Sequence, residues 1–252
     1  MAAGCICSKG REAEEGEIEM THLKVTAHLA APIAGEAPML DAIVEYEMAR
    51  IAGKLHSIGR NDPCPPAGEI HLPMLRGHIG GVQQIPRCSS PIMVSENVRH
   101  EHVAKRIGVE HADLLRENQR LVVAVGNSWT KSYRLPLITT TTPRVVWFIG
   151  GNDSDRGEKR SSRRTLLSVL RRVHSIGKKR SIGYGVVTKW EVDEVEQDYS
   201  WFARGAGGTV LMRPLPLCDE LPGDLVGHSR DFGACIPPYW HPDRYMEIVK
   251  PC

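Results

Sequence analysis

The stretch RVVWFIGG at residues 144–151 constrains the fold more than any other part of the chain. An uninterrupted apolar run that breaks at glycine reads as a buried strand. A polar, basic loop from Asn152 to Arg160 follows. Ser161 or Ser162 then caps a helix whose apolar face is Leu166, Leu167, Leu170 and Val173, with Arg164, Arg171 and Arg172 along its flank. Next comes HSIGKKRSIGYG, from His174 to Gly185, and after it GVVTKWEV, where Val186, Thr188, Trp190 and Val192 fall on one side of a last main strand.

Upstream, HLKVTAHLA alternates Leu23, Val25, Ala27 and Leu29 and reads as a first strand. Leu40, Ile43, Val44, Met48 and Ile51 recur at helical spacing, so MLDAIVEYEMARI forms a first helix that ends near Gly53. EIHLPML, from Glu69 to Leu75, is expected as a short second strand made edge-like by Pro73. Residues 88–137 look inserted, with a helical, charged stretch from Val98 to Arg120, then LVVAV and the polar SWTKSYR. The order is strand, helix, strand, insertion, strand, helix, strand. It predicts an α+β fold of the ferredoxin-like, split βαβ kind, also used by RNA-recognition domains. The expected organisation is a flexible acidic leader at 1–20, one domain at 21–214, and a Pro-rich extended arm at 215–252.

Charge is informative once mapped. The net is only +2, yet ten Lys or Arg and one acid lie between Arg156 and Arg180, so that segment is +9 and the remainder −7. Such a concentrated basic element fits a polyanion partner. The glycine loop beside it is not a nucleotide-cofactor loop: those follow a strand and open a helix, whereas here the helix comes first. No GKS or GKT ending is present, and Gly183 and Gly185 lack the third glycine of a dinucleotide fingerprint. Gly177 suits a left-handed helix end, with Lys178, Lys179 and Arg180 complementing the negative end of the helix dipole. The full cation triplet and the further glycines suit a backbone that lets a nucleic-acid strand come close, with Tyr184 placed to stack on a base.

The remaining composition points to no cofactor. Seven scattered cysteines fit reduced thiols in a cytoplasm. Cys218, His228, Cys235 and His241 could converge on a metal, but no close CxxC or HxxxH pair seeds a zinc site, and the favoured reading is loop residues. No run approaches the ~18 apolar residues of a membrane helix, and the N-terminus does not read as a secretory signal.

PMLDAIVEY on the first helix, VVWFIGGND, HSIGKKRSIGYGVVTKWEV, LMRPLP and IPPYW together resemble the RAMP superfamily of CRISPR proteins. More narrowly, the chain is similar to the type IV effector-complex subunit that is the counterpart of the five-prime-handle-binding subunit of other class 1 systems. The resemblance runs over roughly residues 22 to 245, and its most specific pieces are IGKKRSIGYG with the following tryptophan, and LMRPLP. It implies a non-catalytic subunit that caps the 5′ handle of the CRISPR RNA and docks on the backbone filament and the large subunit, meeting target nucleic acid through the complex. It also implies that Gly177 to Gly185 contact the guide backbone. Arg163, Arg164, Arg171 and Arg172 are additional candidates, and Lys131, Tyr133 and Arg134 lie where relatives carry a thumb that intercalates in the guide strand.

Two other classes stay open at the level of sequence. Some RAMP relatives cleave CRISPR repeats without metal, using a histidine as general acid or base, and His28 and His174 occupy suggestive positions for such an endoribonuclease. A protein-only scaffold would instead direct the basic segment at an acidic partner.

Overall fold

The computed structural model describes residues 22–54, 61–70, 72–94, 97–105, 133–150 and 162–252. It is an α+β protein built mostly from antiparallel strands, with two helices among the described residues. The central sheet has four strands, β1 (His22–Leu29), β5 (Ile92–Val94), β8 (Arg144–Ile149) and β9 (Val187–Val195), in the order β5-β8-β1-β9. Every neighbouring pair is antiparallel. Register aligns Val25 with Trp147 and Val192, and Leu23 with Ile149, so one face is a continuous apolar layer.

Helices α1 (Leu40–Ile51) and α2 (Ser162–Leu170) cover that face and touch each other. Helix α1 contributes Leu40 and Val44, and α2 contributes Leu166, Val169 and Leu170. Burying each of these leucines contributes about 2 kcal/mol. Gly53, at φ +67°, ends α1: its N–H donates to the Arg50 carbonyl and that of Lys54 to the Ala49 carbonyl, the pattern of a left-handed glycine cap. Trp147 and Trp190 stack at 6.0 Å, and Trp190 Nε1 donates to the Val173 carbonyl, fixing the turn after α2 onto β9. The opposite sheet face carries Lys24, His28, Lys189 and Glu191.

Between the central strands lie three additions. Strand β2 (Ile33–Ala34) follows β1; β3 (Arg76–Ile79) and β4 (Val82–Pro86) make a hairpin; β6 (Asn97–Lys105) and β7 (Tyr133–Thr141) make a longer one whose base pairs with β2. Downstream, β10 (Phe202–Gly205), β11 (Gly208–Leu211) and β13 (Leu225–Val226) form one small sheet, and β12 (Leu215–Pro216), β15 (Tyr245–Pro251) and β14 (His228–Ala234) another. Together with the β3–β4 hairpin they enclose a second core around Ile85, Trp201, Leu211, Leu215, Ile236 and Val249.

Several expectations are corrected. The described residues of Glu69–Leu75 form no strand, and Pro73 lacks a ladder donor; Leu72 and Met74 instead plug into the first core, and the second central strand is the three-residue β5. The helix expected from Val98 is strand β6 over the described residues to Lys105, where β-branched and alternating side chains pair with β7; 106–132 lies outside them. Residues 88–94 belong to the central sheet, through the Cys88–Ile149 bridge and β5, so the inserted element starts later than expected. Val169 joins the buried stripe of α2, while Leu167 is only partly buried. A register shift between His28 and Leu29 breaks the β9 alternation, so that Val187 rather than Thr188 meets the core. The segment 215–252, expected as a Pro-rich extended arm, carries the strands β12 to β15, of which β13 pairs with β11.

Candidate nucleic-acid interface

The loop that joins α2 to β9 is held by the backbone that follows β1. Ile176 N–H donates to the Gly185 carbonyl and Val187 N–H to His174, closing the neck. Lys178 N–H donates to Ala34 and Gly185 N–H to Pro32, both of which lie just after β1. The tip is a short 3₁₀ turn, Arg180–Ile182, flanked by left-handed Lys179 (φ +57°) and Gly183 (φ +93°). Four of the nine residues from Gly177 to Gly185 have positive φ, so the chain reverses tightly, and the N–H groups of Lys178, Ile182, Gly183 and Gly185 donate to backbone carbonyls.

The glycines divide by what surrounds them. A Cβ on Gly185 would lie 1.9 Å from the Ile176 carbonyl oxygen, and one on Gly177 would lie 2.8 Å from Ile33 Cγ2. These two serve the loop's own closure. Around Gly183 nothing comes within 4 Å of a built Cβ, so this is the position where another chain can approach the backbone. Tyr184 is half-buried and donates its hydroxyl proton to Glu101 Oε2 on β6, which ties the loop to the long hairpin and raises the Tyr184 pKa. Its ring is therefore anchored at one end.

Beside the loop is a cleft of about 520 Å³ between α1 and the segment 172–180. Its apolar lining comes from Pro38, Ile43, Tyr46, Val173 and Ile176. Arg172, Lys178 and Arg180, all exposed, stand on its rim with His174. Of the two acids present, Glu47 is committed to Arg50, at 2.6 and 2.9 Å; that hydrogen-bonded pair holds its carboxyl below the usual range. Glu36 is exposed.

The structure brings together Gly177, Lys178, Arg180 and Arg172 at this cleft, with Lys179, Gly183, Tyr184 and Gly185 on the same loop. Arg171 is exposed on the turn after α2. Arg163 and Arg164 are exposed near the far end of α2, about 12 Å along its axis from that turn. Arg163 Nε already donates to the Val192 carbonyl at 2.8 Å, so it pins α2 to β9. Arg134 is exposed on β7; Tyr133 begins that strand, and Lys131 lies outside the described residues. His28 binds Glu191 at 2.8 Å on the sheet face opposite the helices, whereas His174 lines the cleft on the helix side. Tyr46 and Ile43 were missed by sequence reasoning; the available signal was an exposed aromatic in an otherwise periodic α1.

Cys235 is buried against Met246, His241 bonds Asp62 and Asp243, and His228 is exposed on β14. Among the described residues no group of three or more His, Cys, Asp or Glu side chains is arranged to hold a metal ion, and no helix is long and apolar enough to cross a membrane. No protein-family model matches the chain, and no curated protein does.

Proposed function

We infer that the chain is an RNA-holding subunit of a type IV CRISPR ribonucleoprotein, a RAMP protein that grips the 5′ handle of the guide RNA with the 177–185 loop and docks on the backbone and large subunits. The observation that carries this reading is one loop in one topological place. Exposed Lys178 and Arg180, beside Arg172, ring a tightly hydrogen-bonded turn between the second helix and the last strand of a sheet ordered β5-β8-β1-β9. That order supports a ferredoxin-like reading, in which split βαβ halves put two helices on one face of the sheet. Cations around a paired backbone give phosphate contacts that hold a strand without reading its sequence. The protein works in the cytoplasm, without a cofactor, and meets target nucleic acid only through the assembled complex.

The subunit holds RNA rather than cutting it, because His28 and His174 serve different surfaces and share no site. Copurification with the products of neighbouring genes tests the proposal: the complex should carry RNA, and ribonuclease should release this subunit. Assembly indifferent to ribonuclease would favour a protein-only scaffold. Cleavage of repeat RNA by the chain alone in EDTA would establish the endoribonuclease instead.

A further inference from the structure

We propose that the cleft between α1 and the 172–180 segment is a seat for one unstacked nucleotide of a single RNA strand, its base against Tyr46 and Ile43 and its phosphate between Lys178 and Arg180. The inference rests on the RNA-binding reading and sharpens it, because phosphate contacts alone need no cleft. Three observations carry it. The volume, about 520 Å³ in a cleft open to solvent, is in the range of small-ligand sites. The two sides differ in chemistry: Tyr46, 49% exposed although it is a large aromatic, and Ile43 present apolar surface from α1, while Arg172, Lys178 and Arg180 supply positive charge from the facing segment. A base with its attached phosphate has the same division into a flat apolar face and an anion. Finally, Glu47 has its charge taken up by Arg50, so Arg172, Lys178 and Arg180 outnumber the one remaining acid of the lining, the exposed Glu36.

Lys178 is positioned for this role by its own loop. Its aliphatic stem lies along Gly35, where a built Cβ would come 3.0 Å from Lys178 Cδ. The stem thereby lies over the segment that leads into α1, and Lys178 is among the residues that line the cleft.

The test is fluorescence anisotropy with a labelled single-stranded oligoribonucleotide, with the same oligonucleotide carrying abasic sites, and with free uridine or adenosine monophosphate as competitor. Wild type is expected to bind the intact strand about tenfold more tightly than the abasic one. Tyr46→Ala, which removes the stacking surface, and Ala42→Phe, which fills the cleft, should both erase that preference. Lys178→Gln with Arg180→Gln should weaken binding of both strands alike. Tyr46 is half-exposed, so its truncation decides the matter even if Ala42→Phe disturbs folding. Equal binding of intact and abasic strands by wild type, or a preference that survives Tyr46→Ala, overturns the seat and leaves the loop reading standing. Saturable binding of the free mononucleotide without any preference for intact RNA overturns the assignment to a strand. Failure of wild type to bind any RNA overturns the seat and the RNA-binding reading together.

Discussion

The guanidinium of Arg213 lies 3.3 Å from the Asp41 carboxylate, with both side chains fully buried, and so links helix α1 of the first core to the strands of the second. Arg213 also donates to the carbonyls of Pro86, Cys88 and Cys235 at 2.7, 2.8 and 2.9 Å and to the Tyr239 hydroxyl at 2.7 Å, while Tyr239 donates to Asp41. Breaking a buried pair by removing one partner strands the other charge. Arg213→Met or Asp41→Asn is therefore expected to destabilise by about 3–5 kcal/mol, a fall in Tm of roughly 10 °C for a chain of this size. Chemical denaturation checks it, and an unchanged midpoint would show that the two cores are not joined here.

Glycine substitution separates closure from access within the loop. Gly185→Ala places a Cβ against the Ile176 carbonyl at φ +62° and should cost more than about 3 kcal/mol. Gly183→Ala meets open space and bears only the left-handed backbone penalty, about 1 kcal/mol. Thermal melting of the two variants measures the difference; equal losses would contradict the division.

The sheet face opposite the helices titrates in acid. Lys189 and then His28, both hydrogen-bonded to Glu191, hold its carboxyl at about 2. A pKa lowered on folding gives stability that is complete above the unfolded value of about 4.3 and lost as pH falls through the folded one. The stability gap between wild type and Glu191→Gln should thus be constant above that value and close as the pH drops toward about 2. A gap that widens on acidification would contradict the assignment.

Tyr184 titrates at the other end of the scale. Its hydrogen bond to Glu101 favours the protonated phenol and raises its pKa above the ordinary value. The contribution is complete below the unfolded value of about 10 and disappears as pH rises through the folded one. Ultraviolet titration of wild type against Tyr184→Phe should reveal a tyrosine ionising later than a free phenol; an ordinary midpoint would mean that the loop is not latched to β6.

The parts of the fold legible in sequence were those with local causes. Alternation in β1, the 3.6-residue stripe and glycine cap of α1, and the apolar run of β8 each left a periodic trace. What was hidden depends on distant partners. The three residues of β5 are too few to show a period, and β6 reads as charged because both of its edges and one face meet solvent or β7. LMRPLP and IPPYW entered the sequence reading only through the family resemblance; Arg213 and Tyr239 within them meet at Asp41 in the interior. The loop's cations were plain in the sequence. That Gly177 and Gly185 serve its closure, and that Tyr184 is bonded to Glu101, follows only from where β2 and β6 pass.

RNA affinity as a function of salt tests the central claim most directly. Anisotropy titrations between roughly 50 and 200 mM salt should give a logarithmic slope of about −2 to −3, as for three or four phosphate contacts on a single strand. Lys178→Gln with Arg180→Gln should reduce that slope by about one while leaving the melting temperature unchanged. A chain that binds no RNA at the low-salt end, or whose slope ignores the double substitution, would contradict the account.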